Sequence, residues 1–433
     1  MTINVAIIGS GPSGFYTADS LLKSDRDVQI DIIERLPAPF GLIRGGVAPD
    51  HQTTKKVAKA YEKTALKDEV AYFGNVEVGK DVSMDELREM YDAIVLAVGA
   101  PTDRSLGIPG ADKQGVFGAA DFVGWYNGHP DFVSLDPDLN VGAVAVVGVG
   151  NVAIDIARVL VKTPAEMAAT DIADHATQAV QASPLTDIYL LGRRGPIEAK
   201  FTNVELREMG KLENCMPLIH AGQLPDEVTG EWSDRDLRLK ERNLTTMREF
   251  LDVDPAGKGK NVHFEFFANP VEVLGGDRVE GLRVERTKVE GGRAVGTGET
   301  FDIECGLVVA AIGYYSIPVD GVPFDNDKGI VVHQDGRVGD GVYAVGWIKR
   351  GPTGVIGTNK PDGDTAARQI LEDVAGGSKP GRTALSALLG ERGVRVVNYT
   401  DWQKIDEAEI AAATGGAPRR KFVSVPEMLA VIE

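Results

Sequence analysis

The sequence has little cysteine, no long apolar run and a deficit of positive charge. Its two cysteines, Cys215 and Cys305, lie far apart in 433 residues and form no C-x-x-C pair. That excludes a disulfide framework, a cysteine-held metal and a dithiol redox centre; buried thiols in a reducing compartment are expected, and no metal. No apolar stretch nears the ~20 residues a membrane helix needs. No leader precedes the first strand, expected at Ile3, so a cytoplasmic protein is expected, with no membrane partner. Lys and Arg number 46 against 64 Asp and Glu, a net charge of −18. Such a chain lacks the basic surface that binding nucleic acid requires. An acidic protein partner stays open, because a basic patch can sit on an acidic whole.

Glycine is abundant, at 51 residues, and the length allows more than one core. Apolar runs alternate with helical patterns. Strands are expected at 3–8, 28–34, 71–78 and 91–99, with helices at 12–23 and 51–68. The series restarts at 142–148 and continues with a helix at 152–161, a helical insertion at 164–182, a strand at 187–192 and a short helix at 203–210. Residues 262–312 read as β-hairpins, 341–346 as a strand, and the last fifty residues as mostly helical. This is α/β patterning with parallel-sheet character.

Two glycine turns stand at strand-to-helix junctions. The first is Gly9-Ser10-Gly11-Pro12-Ser13-Gly14. Gly9 makes the tight turn, Gly11 admits a pyrophosphate to the backbone, and Gly14 lets helix and strand pack closely. Pro12 suits a first helical turn, and the helix N-terminus favours phosphate. Glu34, closing the next strand, accepts from a ribose 2′-hydroxyl and repels a 2′-phosphate. The ligand is FAD or NAD.

The second turn is Gly148-Val149-Gly150-Asn151-Val152-Ala153, and here the next strand runs into Arg193-Arg194. Guanidinium forks suit phosphate oxygens, so this site prefers NADP(H). Two dinucleotides of different charge point to FAD first and NADPH second, with a hydride passing from nicotinamide to flavin. A disulfide acceptor is excluded by the missing C-x-x-C. Oxygen chemistry is neither required nor forbidden, and one-electron transfer to an iron–sulfur protein fits.

The segments AIIGSGPSGFYTA, FGLIRGGVAPDH, VVGVGNVAIDIAR, GRRGP, FTNVELRE and VGWIKRGPTGVIGTNK, in that order from Val5 to Lys360, resemble the adrenodoxin reductase-like ferredoxin–NADP reductases. The resemblance implies a glutathione-reductase-like fold of two Rossmann-like domains. A discontinuous FAD domain (1–105 and 315–433) would hold an inserted NADP domain (106–314). It implies His51 and Glu208 at the flavin and nicotinamide, with Glu205 one turn away, and Gly41, Leu42, Val47 and Gly99 against cofactor. The closing segment has its own reading: Gly346 and Trp347 follow a buried strand, and backbone N–H groups near Gly354, Val355 and Ile356 face the flavin, where bare backbone admits a planar ligand. The partner implied is an acidic ferredoxin. Arg44, Lys55, Lys56, Lys59, Lys349, Arg350 and Lys360 are expected as its basic rim. One departure from the family's SGVAPDH, GGVAPDH here, exchanges small for small. The small subunit of glutamate synthase is excluded, since it carries cysteine-rich cluster motifs. A quinone, oxygen or flavodoxin as acceptor, and a redox sensor without turnover, remain alternatives.

Overall fold

Continuous Ile and Val runs leave no polar face, so they are stable only as strands covered on both sides. In the computed structural model, which describes residues 2–433, Ile3–Ile8 pairs in parallel with Val28–Glu34, Ile3 opposite Val28 and Ile8 opposite Ile33. Ala93–Leu96 flanks it on the other side. The complete first sheet has the order Arg337–Gly339, Val342–Ala344, Ala93–Leu96, Ile3–Ile8, Val28–Glu34, Val70–Gly74. It is parallel except for its Arg337–Gly339 edge. Ile3, Val5, Ile7, Ile30 and Ile32 are fully buried in it; each such side chain stabilises the fold by about 1.5–3 kcal/mol.

The second sheet is all parallel, in the order Val116–Gly118, Leu307–Ala310, Ala143–Val147, Asp187–Gly192, Lys260–Phe266, Cys215–Ile219. A three-stranded antiparallel sheet, Ala268–Leu274, Gly281–Glu290 and Arg293–Glu304, hangs beside it. The chain therefore starts the first sheet, builds the second, and returns to finish the first. It crosses at Thr102–Asp103 and recrosses at Tyr314–Tyr315, and these two segments pair antiparallel.

The fold differs locally from the sequence reading. Lys260–Phe266 is a parallel sheet strand, and hairpins occupy only 268–304. The expected 51–68 helix is two pieces, Gln52–Lys55 and Ala58–Ala65. The 164–182 insertion is likewise two helices, Pro164–Met167 and Asp174–Ala182, and the 71–78 strand ends at Gly74. No helix among the described residues is long and apolar enough to cross a membrane.

Candidate active site

Both glycine turns are built alike. Gly9 N–H donates to Ile33 and Gly148 N–H to Leu191, each the carbonyl of the neighbouring strand. Both residues have positive φ, +106° and +140°. A Cβ at either would lie within 2.5 Å of a carbonyl oxygen, Ala97 for Gly9 and Ala311 for Gly148, so glycine is required twice over. Gly11 and Gly150 cap helices Pro12–Leu21 and Asn151–Val161 with no side-chain bond to the first-turn N–H groups. A Cβ at either would point into open space. Free helix N–H groups over an open glycine cradle are what a pyrophosphate needs.

Around the first turn the chain closes on itself. Glu34 Oε2 accepts from Ser10 N at 3.0 Å and Ser10 Oγ at 2.6 Å, and its Oε1 accepts from Leu36 N at 3.2 Å. A carboxylate has about four acceptor sites, so capacity for a ribose hydroxyl is left. The Phe40 N–H donates to Ser10 O, and a Cβ at Gly41 would sit 3.1 Å from Gly11 Cα. The 40–47 segment is thereby laid on the turn, with Val47 packed on the core and Leu42 49% exposed. Gly99 closes the Ala93–Leu96 strand, and its carbonyl accepts from Ser316. Gly346 packs against Ser13 and donates to Asp362. Trp347 stacks on Tyr314 with ring centroids 6.0 Å apart. Val355 is 61% exposed, and its N–H already donates to Thr358; Gly354 and Ile356 flank it ahead of the Asn359–Asp373 helix. Leu42 and Val355 each expose an apolar side chain beside bare glycine backbone.

The second turn is open. Arg193 and Arg194 end the Asp187–Gly192 strand with no ion pair among the described residues; Arg194 donates only to Gly292 O at 3.3 Å. Val152 and fully buried Ala153 seat the helix. Asn151 accepts from Thr202 N at 2.7 Å and so fixes the start of helix Asn203–Met209.

That helix brings Glu205 and Glu208 to His51, whose Nε2 lies 3.2 Å from Glu205 Oε2 and 3.3 Å from Glu208 Oε2. Burial works against a charged His51. The Glu208 hydrogen bond, with Asp155 and Glu205, outweighs burial and the Arg158 charge, so its pKa stands above the ordinary value. The same bond lowers Glu208, while burial raises Glu205. An imidazole so placed can accept or release a proton near neutral pH.

Sequence reasoning missed three members of this cluster: Asp50, Asp155 and Arg158. The D-x-x-R spacing in the second-turn helix was the only signal. The expected basic rim is corrected. Arg44 is paired with Glu409, Lys55 with Asp171, Lys349 with Asp335 and Asp362, and Arg350 with Asp362. Only Lys56, Lys59 and Lys360 are exposed. The missed basic surface is elsewhere. Helix Asp234–Glu249 presents Arg235, Arg238 and Arg242 along a groove of about 520 Å³ shared with Thr202, Asp234 and Leu239. Both cysteines are buried, and burial pushes each thiol up to about 12.

Residues 3–189 match the pyridine nucleotide-disulphide oxidoreductase family. The mitochondrial NADPH:adrenodoxin oxidoreductase of Salvelinus fontinalis is 43% identical over 450 residues, covering 99% of this chain and 90% of that protein. NADPH-ferredoxin reductase FprA of Mycobacterium tuberculosis is 40% identical over 450 residues, covering 99% and 98%. The solved structure of that FprA in complex with NADPH superposes with a TM-score of 0.94 at 39% identity, covering 100% of this chain and 99% of that one.

Proposed function

Because the chain belongs to the family of NADPH:adrenodoxin oxidoreductases and NADPH-ferredoxin reductases, we propose that it is an NADPH-oxidising flavoenzyme that delivers electrons to a ferredoxin-type iron–sulfur protein. The observation that carries the reading is the pairing of two glycine turns of opposite charge with a His–Glu cluster, His51 against Glu205 and Glu208 of helix Asn203–Met209. FAD, when bound, supplies the chemistry that accepts a hydride from NADPH and passes electrons on singly.

The chain's own residues do the rest. Gly9, Gly11, Pro12, Ser13 and Gly14 cradle the FAD pyrophosphate, and Glu34 takes the ribose hydroxyl. Gly41, Leu42, Val47, Gly99, Gly346, Trp347, Gly354, Val355 and Ile356 surround the flavin. Gly148, Gly150, Asn151, Val152 and Ala153 cradle NADP(H), and Arg193 and Arg194 select its 2′-phosphate. His51 and Glu208, with Glu205, orient the nicotinamide, and His51 Nε2 takes up and releases a proton. The FAD-binding part is residues 1–105 with 315–433, and the NADP-binding part is 106–314. Reduced, buried cysteines fit the cytoplasm.

The acceptor docks on the arginine helix. Arg207, Arg235, Arg238 and Arg242 are exposed and unpaired among the described residues, beside exposed Val204 and Leu239. A cationic patch with an apolar centre suits an acidic partner. The test is cytochrome c reduction by the yellow protein, with and without ferredoxin, using NADPH and then NADH. Strong ferredoxin stimulation with NADPH far ahead of NADH is expected. Flavin reduction without any ferredoxin effect overturns the acceptor and favours a quinone or oxygen.

A further inference from the structure

Arg158, near the end of helix Asn151–Val161, has a side chain with 0% exposure. A guanidinium is always charged and only donates. Its Nε donates to Asp50 Oδ2 at 2.6 Å. Its Nη2 donates to Asp155 Oδ1 at 2.7 Å and to Asp50 Oδ1 at 3.1 Å, and its Nη1 to Glu205 Oε2 at 3.2 Å. The same Nη2 stands 2.6 Å from His51 Nε2. Because arginine cannot accept, that contact requires one of the two Nη2 hydrogens, shared with a carboxylate, and a lone pair on Nε2, with the imidazole proton on Nδ1. Yet Nε2 is also within 3.3 Å of Glu205 and Glu208, which only accept. One nitrogen thus faces a donor on one side and two acceptors on the other, and it can satisfy only one kind at a time.

We propose that Arg158 is a positioning residue: it holds His51 neutral and oriented across the junction of the two halves, and protonation of His51 exchanges its Arg158 partner for Glu208. The catalytic consequence rests on the reductase reading; the coupling between the two side chains does not. Asp50, adjacent to His51 in sequence, is gripped by Arg158 and by Lys162 at 2.6 Å, so the NADP-side helix also fixes the backbone that carries the imidazole. The groups facing His51 are Asp50 on its own segment, Asp155 and Arg158 on the second-turn helix, and Glu205 and Glu208 on the next. The fixed cations Arg158 and Lys162 stand against four carboxylates. The Arg158 charge lowers the His51 pKa within a setting whose net effect raises it. Removing that charge leaves Lys162 as the one fixed cation against the four carboxylates and drives the His51 titration further upward.

The test follows the His51 ring signal by NMR in the oxidised FAD holoenzyme, with His51→Gln assigning it among six histidines. Arg158→Gln and Arg158→Lys are compared with the parent, and the pH profile of flavin reduction by NADPH is recorded in parallel. Arg158→Gln raises the His51 midpoint by about one pH unit or more. Arg158→Lys raises it less, since an ammonium lacks the fork. The pH–rate profile moves by the same interval, and Arg158→Lys adds no displacement in a His51→Gln background. An unmoved or lowered midpoint, with rate lost evenly at every pH, overturns the proposal and leaves Arg158 a structural cation. If Arg158→Gln does not fold, the direction of the Arg158→Lys midpoint decides alone. If NADPH fails to reduce the parent flavin, the reductase reading falls, and the NMR titration still decides Arg158.

Discussion

Gly9 and Gly148 occupy the same place in two turns, bonded to the same neighbours and walled by the same carbonyl contact. The turns part company at their third position and at the end of the next strand. A Cβ at Gly14 would meet the Gly9 carbonyl oxygen at 2.3 Å, whereas Ala153 carries its methyl fully buried. Glu34 is already bonded to Ser10 and Leu36, whereas Arg193 and Arg194 have no ion-pair partner among the described residues. A turn tied to its own carboxylate is ordered before the ligand arrives and loses little entropy on binding. That suits a resident cofactor. A turn beside two waiting guanidiniums suits a nucleotide that arrives with its phosphate and leaves again.

Exchanging the third residues tests this most severely. Gly14→Ala forces a methyl into backbone, and overpacking of this kind costs about 1–3 kcal/mol or more. The protein is expected to melt lower and to purify without flavin. Ala153→Gly removes a methyl from a helix at about 1 kcal/mol and should keep its yellow colour. Thermal unfolding with the flavin-to-protein absorbance ratio reads both. Equal damage from the two exchanges would mean that the helices seat identically and the asymmetry is false.

Charge swaps come next. Arg193→Ala with Arg194→Ala removes charge-assisted hydrogen bonds of about 1.5–3 kcal/mol each. The KM for NADPH should rise about 100-fold or more, with NADH kinetics and flavin content unaltered. Glu34→Gln should do the reverse. It weakens FAD retention by about 1–2 kcal/mol through the Ser10 bonds and leaves the NADPH KM alone. A loss of NADPH affinity in Glu34→Gln would show that the two turns are not independent.

The turns were legible because their chemistry is local: strand, three glycines, helix, and one charged residue a strand later. What was not legible depends on distant partners. The alternation in 262–268 shows that one face of a strand is buried, and the Lys260–Phe266 burial follows it. It says nothing of whether the neighbours run parallel, and both do. Lys55 reads as a free cation until Asp171 is brought to it at 2.6 Å. Arg44 likewise meets Glu409, 365 residues away. In sequence Asp155 and Arg158 are only two opposite charges three residues apart, with nothing else to mark them. Only the packing of Asp50 and His51 against them turns the pair into a buried junction.

The smallest expected effect lies where the chain crosses between the two sheets. Asp103, in the crossing strand, accepts from Ala120 N at 2.8 Å and Asp121 N at 3.3 Å. Burial nevertheless pushes its carboxyl up to about 6 from 3.8. Between about pH 4 and 6 the unfolded chain has released this proton while the folded chain still holds it. The Asp103 contribution is therefore complete below about pH 4 and is lost as pH rises through 6. The site is partly exposed, which reduces the effect to about 1 kcal/mol. Asp103→Asn cannot titrate, so urea unfolding should find it about 1 kcal/mol more stable, relative to the parent, at pH 7 than at pH 4. Since Asp103 belongs to neither turn, NADPH KM and FAD retention should not follow. If either does, the crossing strands transmit between the two sites, and the resident and exchangeable nucleotides sense each other through it.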